Sequence, residues 1–264
     1  MILDIHTHCY PDNLAAAALR GWKGPGDATL PDGTLAGLLH DLDDAGIDRA
    51  VVLHVAHRPS SAHGVNQFAR EVQEGSGGRL RCFGSVHPDA PDAMEELWRI
   101  KALGLHGVKL HPMFQRFDPT DSRYFPLYRE MGHMGLPVLF HCGRHPGHPI
   151  SLVPDQMAAI LPHFAGAQVI GAHLCGLCGA PEQLSTLLRL PIYVDLGYCA
   201  RYFDSSTLSR FLGRLDPARV LFGSDTPWDS AGFALRALER TGLSSRALEQ
   251  ISFQNAAQLL DWPV

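Results

Sequence analysis

Eight short runs of aliphatic and β-branched residues recur along the chain, and their spacing limits what it can fold into more than any other feature. They begin at Ile2, Ala50, Leu80, Gly107, Pro137, Ala167, Ile192 and Arg219. After a first interval of 48 residues, the starts are separated by 25 to 30. Helix-compatible stretches fill the gaps, among them Leu35 to Ala45, Pro91 to Leu103, Tyr124 to Met134 and Pro181 to Leu190. A strand followed by a helix, repeated at this period, is the rhythm of a parallel sheet. The runs are apolar throughout rather than alternating, so both faces of the sheet should be covered. Eight such units without a linker fit an α/β fold of the (β/α)8 TIM barrel type, a single domain over residues 1–264. The open doubly wound sheet is the alternative, but the first strand is followed by no GxGxxG. Strands are expected to end near His6, Val55, Val86, His111, His141, His173, Gly197 and Asp225. Residues 21–33, rich in Gly, Pro and Asp, read as a loop, Phe233 to Arg240 as a helix, and Ser244 to Leu260 as one or two closing helices. Asn255 within them is expected to tie that segment to the barrel.

Composition narrows the functional class. Of 264 residues, 22 are Lys or Arg and 27 are Asp or Glu, a net charge of -5, and no run of five basic residues occurs. That balance gives no electrostatic footprint for nucleic acid. No stretch approaches the roughly 18 consecutive apolar residues of a membrane span, and the N-terminus lacks a basic segment followed by an apolar one. The expectation is a cytoplasmic protein that acts on a small-molecule substrate, with neither nucleic acid nor membrane as a partner; homo-oligomerisation is compatible with the sequence. Cysteines at 9, 82, 142, 175, 178 and 199 are scattered through a long chain, as suits reduced thiols. Histidine is the unusual entry, with 15 residues, many directly after apolar runs.

In a (β/α)8 barrel the chemistry lies at the C-terminal ends of the strands. The first run ends His6-Thr7-His8, and a spacing of two places both imidazoles on one side of the strand. Lys109 and His111 close the fourth run, His141 the fifth, His173 the sixth and Asp225 the eighth, while His54 and His87 lie at the ends of the second and third. A lone histidine at a strand end is ordinarily a rim residue hydrogen-bonded to a neighbour. Several imidazoles and a carboxylate converging from different strands are costly to bury without a partner, and a divalent metal resolves that cost.

These residues carry a family resemblance. DIHTHCYP at 4–11, GVKLHP at 107–112, GLPVLFHCG at 135–143, AHLCG at 172–176, LFGSDTPW at 221–228 and NAAQLL at 255–260 run in order over nearly the whole chain. Together they resemble the amidohydrolase superfamily, in particular the amidohydrolase-related (family 2) group of metal-dependent TIM-barrel hydrolases. The resemblance implies that His6, His8, His141 and Asp225 are metal ligands. His173 then either holds a second metal or acts on substrate. Zinc is the expected ion, with manganese and iron compatible with the same donors. The strand 6 segment departs from the family, carrying Cys175 where a glycine is commoner.

The implied chemistry is hydrolysis of an amide, ester or lactone by metal-activated water, with Asp225 as acid/base and His173 stabilising the oxyanion. The rival reading is a zinc-dependent non-oxidative decarboxylase resembling the 2-amino-3-carboxymuconate-semialdehyde enzyme. A TatD-like phosphoesterase or a barrel that only binds a ligand is a further alternative. Arg116, Arg144, Tyr198, Arg201 and Trp228 follow strand ends and form a candidate group for holding a substrate carboxylate. His145 and His148 read as solvated loop residues, and Cys175-Gly-Leu-Cys178, without a second CxxC, as ordinary loop cysteines.

Lys109 governs the metal count. Its segment resembles the KLYP segment of dihydroorotases, whose lysine is carboxylated and bridges two ions. An ordinary ammonium there would instead repel a second cation, and one metal per chain is the expected outcome. Two anomalous peaks about 3.5 Å apart at the zinc edge, flanking a modified Lys109, would overturn it. In that case Lys109→Ala should lose one metal, and a small added carboxylic acid should partly restore activity.

Overall fold

The structure is a computed structural model that describes residues 1–20, 30–144 and 148–262. Most of the loop expected over 21–33, and His145, lie outside the described residues. Among the described residues, eight strands alternate with helices: β1 (Leu3–Thr7), β2 (Arg49–Leu53), β3 (Leu80–Phe83), β4 (Val108–Leu110), β5 (Val138–Phe140), β6 (Val169–Gly171), β7 (Tyr193–Asp195) and β8 (Val220–Leu221). The chain divides into two compact units, one of Met1–Leu53, Val72–Arg81 and Asp195–Val264, the other of His54–Glu71 and Cys82–Val194.

In the first unit β1 pairs in parallel with β2, Leu3 opposite Arg49 and Thr7 opposite Val52, with a register shift between Asp4 and Thr7. On its other edge β1 meets the chain that follows β8. Ile5 N donates to Phe222 O, and Thr7 and Thr226 form a parallel bridge. The helix Leu35–Ala45 starts at Thr34, whose hydroxyl accepts from Gly37 N, and stops at Gly46, whose φ of 67° needs no Cβ relief. It buries Leu38 and Leu42. In the second unit β4, β5 and β6 pair in parallel with Lys109 opposite Leu139 and Leu139 opposite Ile170. Tyr128 stacks on Phe164 at 4.6 Å and meets Phe140 edge-on in the core of this unit. The helices Ala93–Ala102 and Phe125–Met134 fall where the apolar periodicity places them.

The strands stop earlier than the apolar runs do. β8 ends at Leu221, well before Asp225, and β6 at Gly171, two residues before His173. The runs stay apolar because their side chains are still buried, while past the strand ends the pairing continues only irregularly. The segment 244–260 is likewise more broken than expected: helix Ser245–Glu249, a π turn Gln250–Gln254, then helix Asn255–Leu259. Within the wider turn the Ile251 carbonyl accepts from Phe222 N at 2.9 Å. Asn255 fulfils the expected tie: its amide donates to Pro217 O and Val220 O, both at 2.7 Å. No described helix is long and apolar enough to cross a membrane.

Removing the Asn255 amide strands two carbonyls at β8. Asn255→Ala should therefore destabilise the fold by roughly 2–4 kcal/mol, read as a lowered urea midpoint at unchanged slope.

Candidate functional site

In the first unit β1 carries His6 and His8, and the turn after β8 carries Asp225. His8 Nδ1 lies 2.8 Å from the Leu53 carbonyl oxygen, which can only accept, so Nδ1 carries a proton and in the neutral ring the lone pair is on Nε2. His6 Nδ1 lies 2.8 Å from Asp195 Oδ2, a carboxylate that fixes the same tautomer when ionised. Both Nε2 atoms face one oxygen: Asp225 Oδ1 is 3.3 Å from that of His6 and 3.2 Å from that of His8. These three residues form a group whose ligand atoms lie within 4.8 Å of one another.

The backbone around His6 is built to leave room for its ring. A Cβ on Gly197 would fall 2.9 Å from His6 Nδ1, and one on Gly223 would fall 2.9 Å from His6 Cβ. Asp225 sits at φ 70°, in the left-handed region that a non-glycine residue enters at a cost. Its N–H donates to His6 O, while His8 N donates to Thr226 O. Asp195 is fully buried, and its Oδ1 accepts from Gly197 N. Asp4, also fully buried, accepts from His6 N and Ser224 N through Oδ1, and burial pushes its carboxyl up to about 7.

In the second unit His141 and His173 come together, with His141 Nδ1 3.1 Å from His173 Nε2. His111 stacks on His141 at 3.8 Å and on Phe114 at 4.0 Å. His173 opens a left-handed turn: His173, Leu174 and Cys175 have φ of 56°, 53° and 55°, followed by Gly176 at 80°. A Cβ on Gly176 would lie 2.7 Å from Gly143 N, so the turn packs directly on the backbone after β5. A glycine at 175 would take the observed φ of 55° without the Cβ cost that Cys175 bears. Lys109 is fully buried in β4, and Ser85 Oγ donates to its carbonyl. His54 is buried edge-on to Phe68, and His87 Nδ1 accepts from Asp89 N while burial pushes its pKa down. His148 Nδ1 accepts from Ile150 N within its own loop. Cys175 is buried and Cys178 half-buried, both as free thiols.

The five residues proposed from sequence to hold substrate differ in what they touch. Arg201 donates to Asp229 Oδ1 at 2.6 Å and lies 3.6 Å over the Phe233 ring. Burial raises the Asp229 carboxyl, with the Arg201 bond opposing that shift. Arg144 is exposed and 3.8 Å from Glu182, a surface pair. Arg116 is exposed at φ 56°, Tyr198 is half-buried at φ 58° and edge-on to Tyr202, and Trp228 N donates to Asp225 O. Sequence reasoning missed Asp195 and Asp4. Their signal was a carboxylate inside an otherwise apolar strand run, in IYVDLG and ILDIH.

The family model described as Amidohydrolase matches residues 3–262. No curated protein matches the chain by sequence. Among solved structures it is similar to Metarhizium anisopliae IDCase in apo form, with TM-score 0.73, 18% identity and coverage of 99% of this chain and 97% of that one. It is also similar to a dihydroxybenzoic acid decarboxylase from a Polaromonas species with bound manganese and 2-nitroresorcinol (0.75, 16%, 98% and 96%). A third is a probable 2-pyrone-4,6-dicarboxylic acid hydrolase from Acinetobacter baumannii with citric acid bound (0.69, 17%, 99% and 99%). Likeness at these identities establishes the fold, the (β/α)8 barrel.

Because a Gly223 Cβ would meet His6, Gly223→Ala should cost about 1–3 kcal/mol of stability through overpacking. A fall in thermal midpoint, set against a Gly64→Ala control in the helix Ala62–Gly75, where a Cβ meets nothing within 4 Å, checks it.

Proposed function

Because the chain belongs to the amidohydrolase family, we propose that it is a metal-dependent hydrolase of a small, carboxylate-bearing molecule, with an amide, ester or lactone as the bond broken. The donor set fits a metal: two imidazoles whose Nδ1 atoms are engaged, and one carboxylate oxygen facing both Nε2 atoms. His6, His8 and Asp225 would hold it, and the resemblance of the GLPVLFHCG segment adds His141. Once bound, a zinc or manganese ion supplies a lowered water pKa and polarisation of the scissile carbonyl.

The observation that carries the hydrolytic reading is the His141–His173 contact of 3.1 Å. If His141 ligates through Nε2, its proton is on Nδ1 and is donated to His173 Nε2. The proton of neutral His173 is then on Nδ1, which makes it a hydrogen-bond donor rather than a base. Such a donor stabilises negative charge developing on a carbonyl oxygen. Asp225 is the group left to move the proton, taking it from water as the new C–O bond forms and returning it to the leaving atom as the scissile bond breaks. Arg116, Arg144, Tyr198, Arg201 and Trp228 remain the proposed group for the substrate carboxylate.

Decarboxylation is the second reading, favoured by the likeness to the manganese-bound decarboxylase. It requires His173 to exchange its His141 contact for a proton-donating role toward the carbon that loses carbon dioxide. Lys109 as an ammonium accommodates either chemistry with one metal.

Replacing His6 and His8 together by Ala should leave a folded but metal-poor protein. Full metal occupancy in that double variant, by elemental analysis, would sink the ligand assignment. In the wild-type protein, acid release from a pyrone lactone without carbon dioxide would mark hydrolysis, and carbon dioxide from a hydroxybenzoate would mark decarboxylation.

A further inference from the structure

The junction of β1 with the chain after β8 is irregular. In a regular parallel ladder, an Ile5 N–H bonded to Phe222 O is followed by Ser224 N donating back to the Ile5 carbonyl. Here the donation back comes one residue later on both sides, from Asp225 N to His6 O at 2.8 Å. The pairing of β1 with β2 shifts register over the same stretch, between Asp4 and Thr7. A bulge of this kind re-aims side chains but leaves amides outside the ladder.

Two such amides, those of His6 and Ser224, donate to a single acceptor, Asp4 Oδ1, at 3.0 and 3.1 Å. One is on a candidate metal ligand and the other immediately precedes Asp225. Asp4 is fully buried, and its Oδ2 has no hydrogen-bond partner. A carboxylate in that setting is expensive to keep. Stability alone would favour a neutral residue there.

We propose that Asp4 is a positioning residue for the metal centre: its carboxylate oxygen pins the bulge that turns His6 Nε2 and Asp225 Oδ1 toward each other. Asp4 touches neither metal nor substrate and acts through the two backbone amides. The assignment rests on the metal reading above, and the test separates the two.

Zinc affinity is measured by competition with a chromophoric chelator on metal-stripped protein, with the fold followed by circular dichroism. Asp4→Ala leaves both amides without an acceptor and should weaken zinc binding about 10–100-fold while remaining folded, as loss of a group that orients metal ligands does elsewhere. Asp4→Asn keeps an oxygen at the Oδ1 position and should hold zinc within about threefold of wild type, although the buried amide lowers the melting temperature. A purely structural role would instead make affinity follow stability in both variants. Wild-type affinity in folded Asp4→Ala overturns the proposal, as does an Asp4→Ala chain that cannot fold, and as does a folded Asp4→Asn as weak as Asp4→Ala. Failure of the metal reading looks different: the wild-type protein itself takes up no zinc, or the His6→Ala, His8→Ala variant takes up as much.

Discussion

Two imidazole lone pairs aimed at one carboxylate oxygen set the terms for the rest of the first unit. His6 Nε2 and His8 Nε2 each lie within 3.3 Å of Asp225 Oδ1, and all three are electron-rich atoms with the tautomers described. Such an arrangement holds only with positive charge between them or with firm backing behind each group. The backing is present. The Leu53 carbonyl stands behind His8 and the Asp195 carboxylate behind His6. Asp225 is held from its own backbone through His6 O. The glycines at 197 and 223 follow from the same demand, because a Cβ at 197 would meet the His6 ring and one at 223 the His6 Cβ.

The backbone departs from regular geometry where strands hand over to functional side chains. Asp225, His173, Tyr198 and Arg116 all have positive φ and all follow strands. For L-residues that region costs roughly 1–2 kcal/mol each. It is held by packing: Leu174 and Cys175, in the turn that His173 opens, are fully buried, and Gly176 seats on the Gly143 backbone. Elsewhere the chain follows local rules, as in the Leu35–Ala45 helix with its threonine cap and left-handed glycine end. Strain is concentrated at the strand ends, where an observed outlier is a reason to look for function.

Buried acids divide into those with a charged partner and those without. Asp229 is offset by Arg201, so that arginine, chosen from sequence as a substrate residue, is already engaged by a carboxylate. Asp195 has an imidazole and a glycine amide, and Asp4 has two backbone amides and the Ser224 side chain. Sequence reasoning weighed histidines at strand ends and passed over these acids within the strands. An acid in an apolar run announces that something pairs with it, but only the fold names the partner: 189 residues separate His6 from Asp195 and 220 separate Asp4 from Ser224.

The sequence by itself determined the alternation of eight strands and their helices, because burial on both faces demands continuous apolar runs at a fixed period. It also marked His6, His8, His141, His173 and Asp225 as residues to watch, since polar groups ending such runs stand out against them. Tertiary structure alone decided where the ladders stop, which nitrogen of His6 and of His8 meets a backing oxygen, and that Asp225 enters the left-handed region. Those outcomes depend on hydrogen bonds between residues far apart in the chain. Local periodicity reports whether a side chain is buried, and carries no record of the atom it is buried against.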